Sequence, residues 1–243
     1  MLAPSPAEAH YIYQEIFEED CYLGSLDPLP EKPVVLDVGA NIGLFAWRVL
    51  RTYPQARIFC FEPAPPTFEI LKKNLQGQSV EMFLEGVADF DGEGELSYYP
   101  LVPGNSTLHP RQLDSELMDK MFVAFRAVES RWWARLIGRP LFRALVRKVW
   151  DRPQHMNISI RRLSTFLAER PELDVDLLKV DVERAEWQVL CGIEGSHWPR
   201  IQQLAIEGIL GSGLVGCFLL NFVVMFVLWL VLYVLNFLVR SIM

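Results

Sequence analysis

The chain has little that would bind nucleic acid, bridge disulfides or hold a metal. It carries 23 Lys and Arg against 30 Asp and Glu, a net charge of -7, and an acidic surface repels a phosphate backbone. Nucleic-acid partners are excluded on that ground. Its 4 cysteines, Cys21, Cys60, Cys191 and Cys217, show no C-x-x-C spacing, which points to reduced thiols rather than a disulfide frame. Residues 1–30 hold Glu8, Glu15, Glu18, Glu19 and Asp20 and no apolar run, so no secretory leader is read there. No G-x-G-x-x-G follows a strand-like segment, which argues against a dinucleotide. Lack of charge is concentrated at one end: no Lys, Arg, Asp or Glu occurs between Glu207 and Arg240.

What is present begins with VVLDVGANIGLF at 34–45 and FCFEP at 59–63. The pattern is a buried strand, a glycine-bearing turn, a helix, and a second strand ending in an acid. Gly39 and Gly43 bracket the turn, where the missing Cβ lets backbone approach a ligand. The helix after the turn aims free N–H groups over it. Glu62 at the end of the second strand can accept hydrogen bonds from both hydroxyls of a ribose. The unit therefore reads as a site for a nucleoside-containing cofactor. Asp37, two residues before Gly39, would repel a pyrophosphate but suits an ammonium or sulfonium charge. The arrangement resembles that of class I methyltransferases, which use S-adenosylmethionine.

Later segments narrow the reading. EGVADFDGEGELSYYPLVPGNSTL spans 85–108, DVDLLKVDVERAEWQVLCGI spans 174–193, and IQQLAIEG spans 201–208. In this order, with DVGANIGLF and FEPAPPTFEILKKN, they resemble the FkbM family of methyltransferases. The resemblance implies an α/β, Rossmann-like doubly wound sheet, S-adenosylmethionine as donor, and O-methylation of a small molecule, sugar or lipid-like acceptor. On this reading residues 1–32 are an N-terminal helix and linker, 33–208 the methyltransferase domain, and 210–239 a separate segment. The N-terminal part either packs beside the sheet or covers the cofactor.

Residue roles follow from the resemblance. Asp37 and Asn41 would contact the methionine end of the cofactor, with Gly39 and Gly43 allowing close approach and Glu62 taking the ribose. Val87, Ala88 and Asp89 would face the adenine. Asp89 either accepts from its amine or simply opens the turn at Asp91 and Gly92. Asp181, at the end of the fourth core strand, is the first acceptor-side candidate as base or orienting group, and Glu183 the second. Lys179 is read as a strand residue pairing with one of them. His109, beside the GNSTL loop, is a further candidate base, and Asn105 and Ser106 could bond the acceptor. No His or further acid stands at ligand spacing from Asp181 and Glu183, so no metal is expected. The family has glycine where this chain has Arg184, and arginine is strained there if φ is positive.

Two segments lie outside that frame. The insert 120–152 carries Arg126, Arg131, Arg135, Arg139, Arg143, Arg147 and Lys148, interleaved with Trp132, Trp133, Leu136, Leu141 and Phe142. Pro140 should divide it into two helices. Such an insert either lies on an anionic membrane or caps the active site. The segment 210–239 exceeds the roughly 20 apolar residues that cross a bilayer and reads as a transmembrane helix rather than a buried core helix. It would make the protein single-pass, with the catalytic domain facing the cytosol. The family's sheet order is 3-2-1-4-5-7-6, and nothing after Gly208 resembles its last two strands. The alternative is therefore an inactive, membrane-anchored relative, its C-terminus replaced through splicing or read-through.

Overall fold

The structure, a computed structural model, describes residues 1–4, 6–24, 26–110, 114–128, 137–150 and 153–206. The transmembrane segment expected over 210–239 lies outside the described residues. Among those described, no helix is long and apolar enough to cross a membrane.

Five strands form the central sheet in the order β3-β2-β1-β7-β8. They are β1 (Val34–Val38), β2 (Arg57–Phe61), β3 (Val80–Phe83), β7 (Leu177–Val180) and β8 (Leu204–Ile206). Every pairing is parallel. This matches the expected 3-2-1-4-5 order; β8 is the last described strand, and the region beyond it is not described. The three central strands are buried on both faces and, apart from Asp37, Lys179 and the exposed Arg57, apolar, as a sheet covered on both sides requires. Val35, Ile58 and Leu177 pack against α2 (Leu44–Thr52) and α3 (Pro65–Asn74). Leu36, Val38, Phe59, Leu178 and Val180 pack instead on α6 (Leu163–Ala168) and α7 (Glu186–Cys191). Phe166 of α6 meets Phe59 and Phe61 edge-on at 5.3 and 5.2 Å.

A second sheet, β4-β6-β5, was not anticipated. The strand β5 (Gly92–Tyr98) runs antiparallel to β6 (Gln154–Arg161), and β4 (Gly86–Val87) joins β6 in parallel. Between β5 and β6 the chain makes the helical hairpin α4 (Ser115–Val128) and α5 (Arg139–Trp150). The division into two helices expected at Pro140 is seen, with Pro140 itself inside the first turn of α5, where its missing N–H costs nothing. Phe122 and Phe125 each contact Phe142 at 5.3 Å, and Asp119 pairs with Arg143 at 2.8 Å. Leu145 and Trp150 pack on Tyr99 and Val102, which lead into the GNSTL loop. The expected Arg131, Trp132, Trp133 and Arg135 fall outside the described residues.

The N-terminal segment, α1 (Pro6–Tyr13) continued by a π-helical turn (Gln14–Glu18), lies against α2. Phe17 meets Trp47 at 5.5 Å, and Tyr22 meets Phe45 at 5.5 Å. Leu2 exchanges two hydrogen bonds with the Asn74 amide. The segment therefore packs beside the sheet and also reaches the site described next.

Candidate active site

A cleft opens at the carboxyl ends of β1, β2 and β7, where parallel α/β sheets bind ligands. Its empty space, open mouth included, is about 1180 Å³, ample for a nucleoside and a second small molecule together. The turn after β1, the end of β2, the loop after β7, the GNSTL loop and the N-terminal segment all line it.

The floor of the cleft rests on a buried charge cluster set by strand register. Asp37 on β1 is the direct partner of Cys60 on β2 and of Lys179 on β7, so the three side chains share one face of the sheet. Lys179 Nζ lies 3.1 Å from Asp37 Oδ1 and 3.2 Å from Asp181 Oδ2, and donates to the Gly39 carbonyl at 2.8 Å. Tyr22 donates its hydroxyl to Asp181 Oδ2 at 3.0 Å. Asp37 is fully buried, and that burial raises its carboxyl above the ordinary range while Lys179 pulls it back. Lys179 is held above its usual range: Asp181 and Asp37 outweigh the burial that opposes its charge. Asp37 thus lies under the cleft rather than in its wall, and its partner is Lys179.

The turn itself is built from three left-handed residues, Gly39 (φ +79°), Asn41 (φ +49°) and Gly43 (φ +87°). A Cβ on Gly39 would stand 1.8 Å from the Asp181 carbonyl oxygen, and one on Gly43 would stand 2.8 Å from Leu71. Both glycines therefore serve chain packing as well as, at Gly39, the cleft wall; Gly43 does not line it. Glu62 does. Its Oε2 accepts from the Asn41 N–H and its Oε1 from the Ala64 N–H, both at 3.0 Å. Burial pushes its carboxyl up to about 7, against the pull of those two amides.

Glu183, in the loop after β7, also lines the cleft. Its Oε1 accepts from Asn105 Nδ2 at 3.1 Å, and its main-chain carbonyl accepts from the Thr107 hydroxyl at 2.5 Å. Burial first, then Asp181, raises its carboxyl to about 8. Ser106 instead accepts from the Tyr99 N–H.

Several expected residues lie elsewhere. Ala88 is buried among Leu96, Tyr98 and Ile160 in the second sheet's core. Asp89 is exposed and outside the cleft wall, which here consists of Glu85, Gly86 and Val87. His109 is exposed, with its ring nitrogen 2.9 Å from Gln188 Nε2 and its carbonyl accepting from Arg184. Arg184 has φ +70°, so the strain foreseen at this position is present.

Among the acids and tyrosines of the wall, Glu15, Tyr22 and Glu85 were missed. Glu85 pairs with Arg161 at 3.1 Å. Glu15 sits beside Ile12 and Ile16 on the N-terminal helix, an acid bordering an apolar helical stripe, and that spacing was the available signal. Burial, with Asp181 next, raises it to about 8.

Comparison with known proteins agrees with this architecture. A model of the methyltransferase FkbM domain matches residues 37–209. Methyltransferase sdnD of Sordaria araneosa is 36% identical over 217 residues, 84% of this chain and 76% of that one. Methyltransferase 1 of Beauveria bassiana is 33% identical over 204 residues, 82% of this chain and 73% of its own. The 31-O-demethyl-FK506 methyltransferase FkbM of Streptomyces tacrolimicus is 32% identical over 202 residues, 82% of this chain and 74% of that one. The parallel sheet, the cleft at its carboxyl edge and these matches together make the chain a methyltransferase of the FkbM family.

Proposed function

We propose that the chain uses S-adenosylmethionine to methylate a hydroxyl group of a small-molecule acceptor. The observation that carries this reading is the acceptor-rich chemistry of the cleft. Asn41 Oδ1 and Asn105 Oδ1 are buried and have no hydrogen-bond partner among the described residues, and both residues line the cleft. Buried acceptors without donors are costly, so they fit a ligand that brings N–H and O–H groups. Among the described lining side chains, Lys179 is the only basic one, against Glu15, Glu62, Glu85, Asp181 and Glu183. Those carboxyl oxygens offer hydrogen-bond acceptors to a ligand with ammonium, ribose hydroxyls and exocyclic amine, and offer a pyrophosphate a single cation, already held by Asp37 and Asp181.

Within this reading Glu62 holds the ribose with the lone pairs its two amide bonds leave over. Asn41 receives a donor at the methionine end, and Asp37 acts from below by fixing Lys179. S-adenosylmethionine, when bound, supplies a methyl group on a sulfonium centre. Asp181, fixed by Lys179 and Tyr22, orients the acceptor side, with the hydrogen-bonded Asn105 and Glu183 in the same cleft wall. Closely aligned reactants account for much of the rate in such transfers.

Calorimetric titration of the full chain with S-adenosylhomocysteine tests the reading. Micromolar binding that Glu62→Ala weakens at least tenfold is expected; NAD binding in its place would overturn it. Membrane attachment through 210–239 rests on that segment's uncharged sequence. Its expected sign is a full chain that partitions into detergent; a full chain soluble without detergent would refute it.

A further inference from the structure

We propose that Glu15, delivered by the N-terminal π-helical turn, is the cleft carboxyl that ionises against the positive charge of the methyl donor. The inference rests on the reading of the cleft as a sulfonium-donor site and extends it to a residue outside the motifs of 34–208.

The geometry singles out Glu15 by elimination among the lining acids. Glu62 holds the Asn41 and Ala64 amides. Glu85 is paired with Arg161, Asp181 with Lys179 and Tyr22, and Glu183 with Asn105. Glu15 alone among them makes no side-chain hydrogen bond or ion pair with a described residue. It is nonetheless fixed in place. Ile16, next to it, is buried in the core that α2 and α3 share with the sheet, and Tyr22 from the same segment reaches Asp181. The turn that carries it is π-helical, with the Glu19 N–H bonded to the Gln14 carbonyl at 2.9 Å. Such turns insert one extra residue and are frequent at functional sites.

Burial first, and then the groups facing Glu15, explain its state. Glu19 from its own segment, and Asp181 and Glu183 from the loop after β7, all oppose a further negative charge; Lys179 on β7 favours it. With Lys179 already shared between Asp37 and Asp181, the balance keeps Glu15 protonated, with its carboxyl near 8. Entry of a cation reverses that balance, because an opposite charge nearby favours the ionised form. Glu15 then loses its proton to solvent and becomes a carboxylate at the acceptor end of the cleft. In that form it can take the proton of the acceptor hydroxyl as the new O–C bond forms and the S–C pair returns to sulfur.

The test uses the full chain and two ligands that differ in one charge: S-adenosylmethionine, with a sulfonium, and S-adenosylhomocysteine, with a thioether. Calorimetry in two buffers of different ionisation enthalpy counts the protons released on binding. S-adenosylmethionine should release more protons, approaching about one extra, so that its advantage in affinity rises up to about tenfold per pH unit between roughly pH 6 and 8. Glu15→Gln should abolish that difference, Glu15→Asp should retain it, and Glu183→Gln should retain the larger part. Equal proton counts for the two ligands in the wild-type chain would overturn the proposal. So would a loss in Glu183→Gln as large as that in Glu15→Gln. Wild-type protein that binds neither ligand would instead overturn the donor reading itself, and this proposal with it.

Discussion

Replacing Lys179 with methionine removes the cation that holds two carboxylates at the centre of the sheet, and the distances set the consequence. Its Nζ lies 3.1 Å from Asp37 Oδ1, 3.2 Å from Asp181 Oδ2 and 2.8 Å from the Gly39 carbonyl. All three ammonium protons are therefore engaged inside the protein. Asp37 is fully buried and would be left either charged without a counter-ion or forced to take a proton. Removing one partner of a buried pair costs about 3–5 kcal/mol. At roughly 2–4 °C per kcal/mol for a chain of this size, the melting temperature falls by about 10 °C. The loss depends on pH. Burial already raises Asp37 and Lys179 opposes it; without Lys179 the rise is unopposed. A carboxyl with a raised folded-state pKa gives its stabilisation below the unfolded value and loses it as pH climbs through the folded one. Lys179→Met should thus recover stability on acidification, followed by circular-dichroism melts across pH. Adding Asp37→Asn removes the stranded charge and should restore part of the loss. A single variant melting within about 2 °C of the parent, or a double variant no better than the single, would refute the reasoning.

Other expectations follow from the same geometry. Arg184 at φ +70° predicts that Arg184→Gly is more stable than Arg184→Ala by about 1 kcal/mol, since both lose the guanidinium and only glycine relieves the left-handed strain; equal urea midpoints would contradict this. Gly39→Ala places a Cβ 1.8 Å from the Asp181 carbonyl, so that variant should lose the cooperative thermal transition. Glu62 is raised to about 7. Its protonated form is the weaker acceptor, so S-adenosylhomocysteine affinity should fall as pH drops below about 7 and become flat in Glu62→Gln. A titration series that falls equally in both proteins would place the effect elsewhere. Phe142→Ala removes a fully buried ring that touches Phe122 and Phe125 and should cost about 3–5 kcal/mol, with hydrogen-exchange protection lost first in α4 and α5.

The sequence made the central sheet legible because its signals are local. Residues 34–38 and 57–61 are short, mostly apolar runs closed by a turn, and the first five positions of the sheet order that the resemblance implies are the ones observed among the described residues. Glu62 was readable for the same reason, standing directly after its strand. Asp37 was not, because its environment depends on register with Lys179 on a strand far along the chain. An acid at a strand end looks alike whether it faces a ligand or a neighbouring lysine. The second sheet escaped notice because β5 and β6 are half polar: only Leu96, Ser97 and Tyr98 in one and Ile158 and Ile160 in the other are buried. Asp89 was misplaced with it, since the chain enters β4 before reaching that residue and leaves Glu85 at the cleft. Glu15 and Tyr22 meet the site only through the docking of the N-terminal segment on α2; the acid beside Ile12 and Ile16 signals a packed helix face locally, but not that the face meets the cleft.

The charge inventory of the cleft gives the proposal about Glu15 a consequence for turnover. Lys179 offsets one of the two acids it touches, and Glu15 and Glu183, both raised to about 8, keep most of their protons at neutral pH. The cleft is therefore less negative than its residue list suggests. On the proposed reading, Glu15 is a carboxylate only while a cation stands beside it. Once methyl transfer turns the sulfonium into a thioether, that stabilisation ends and Glu15 regains a proton. The spent donor is then held by one favourable charge contact fewer than the fresh one. Raising the pH above about 8 keeps Glu15 ionised in either case, so the preference for S-adenosylmethionine over S-adenosylhomocysteine should be largest in alkaline buffer and shrink toward pH 6. In Glu15→Gln the ratio should stay level across the same range, and a ratio that still climbs with pH in that variant would assign the charge to another group.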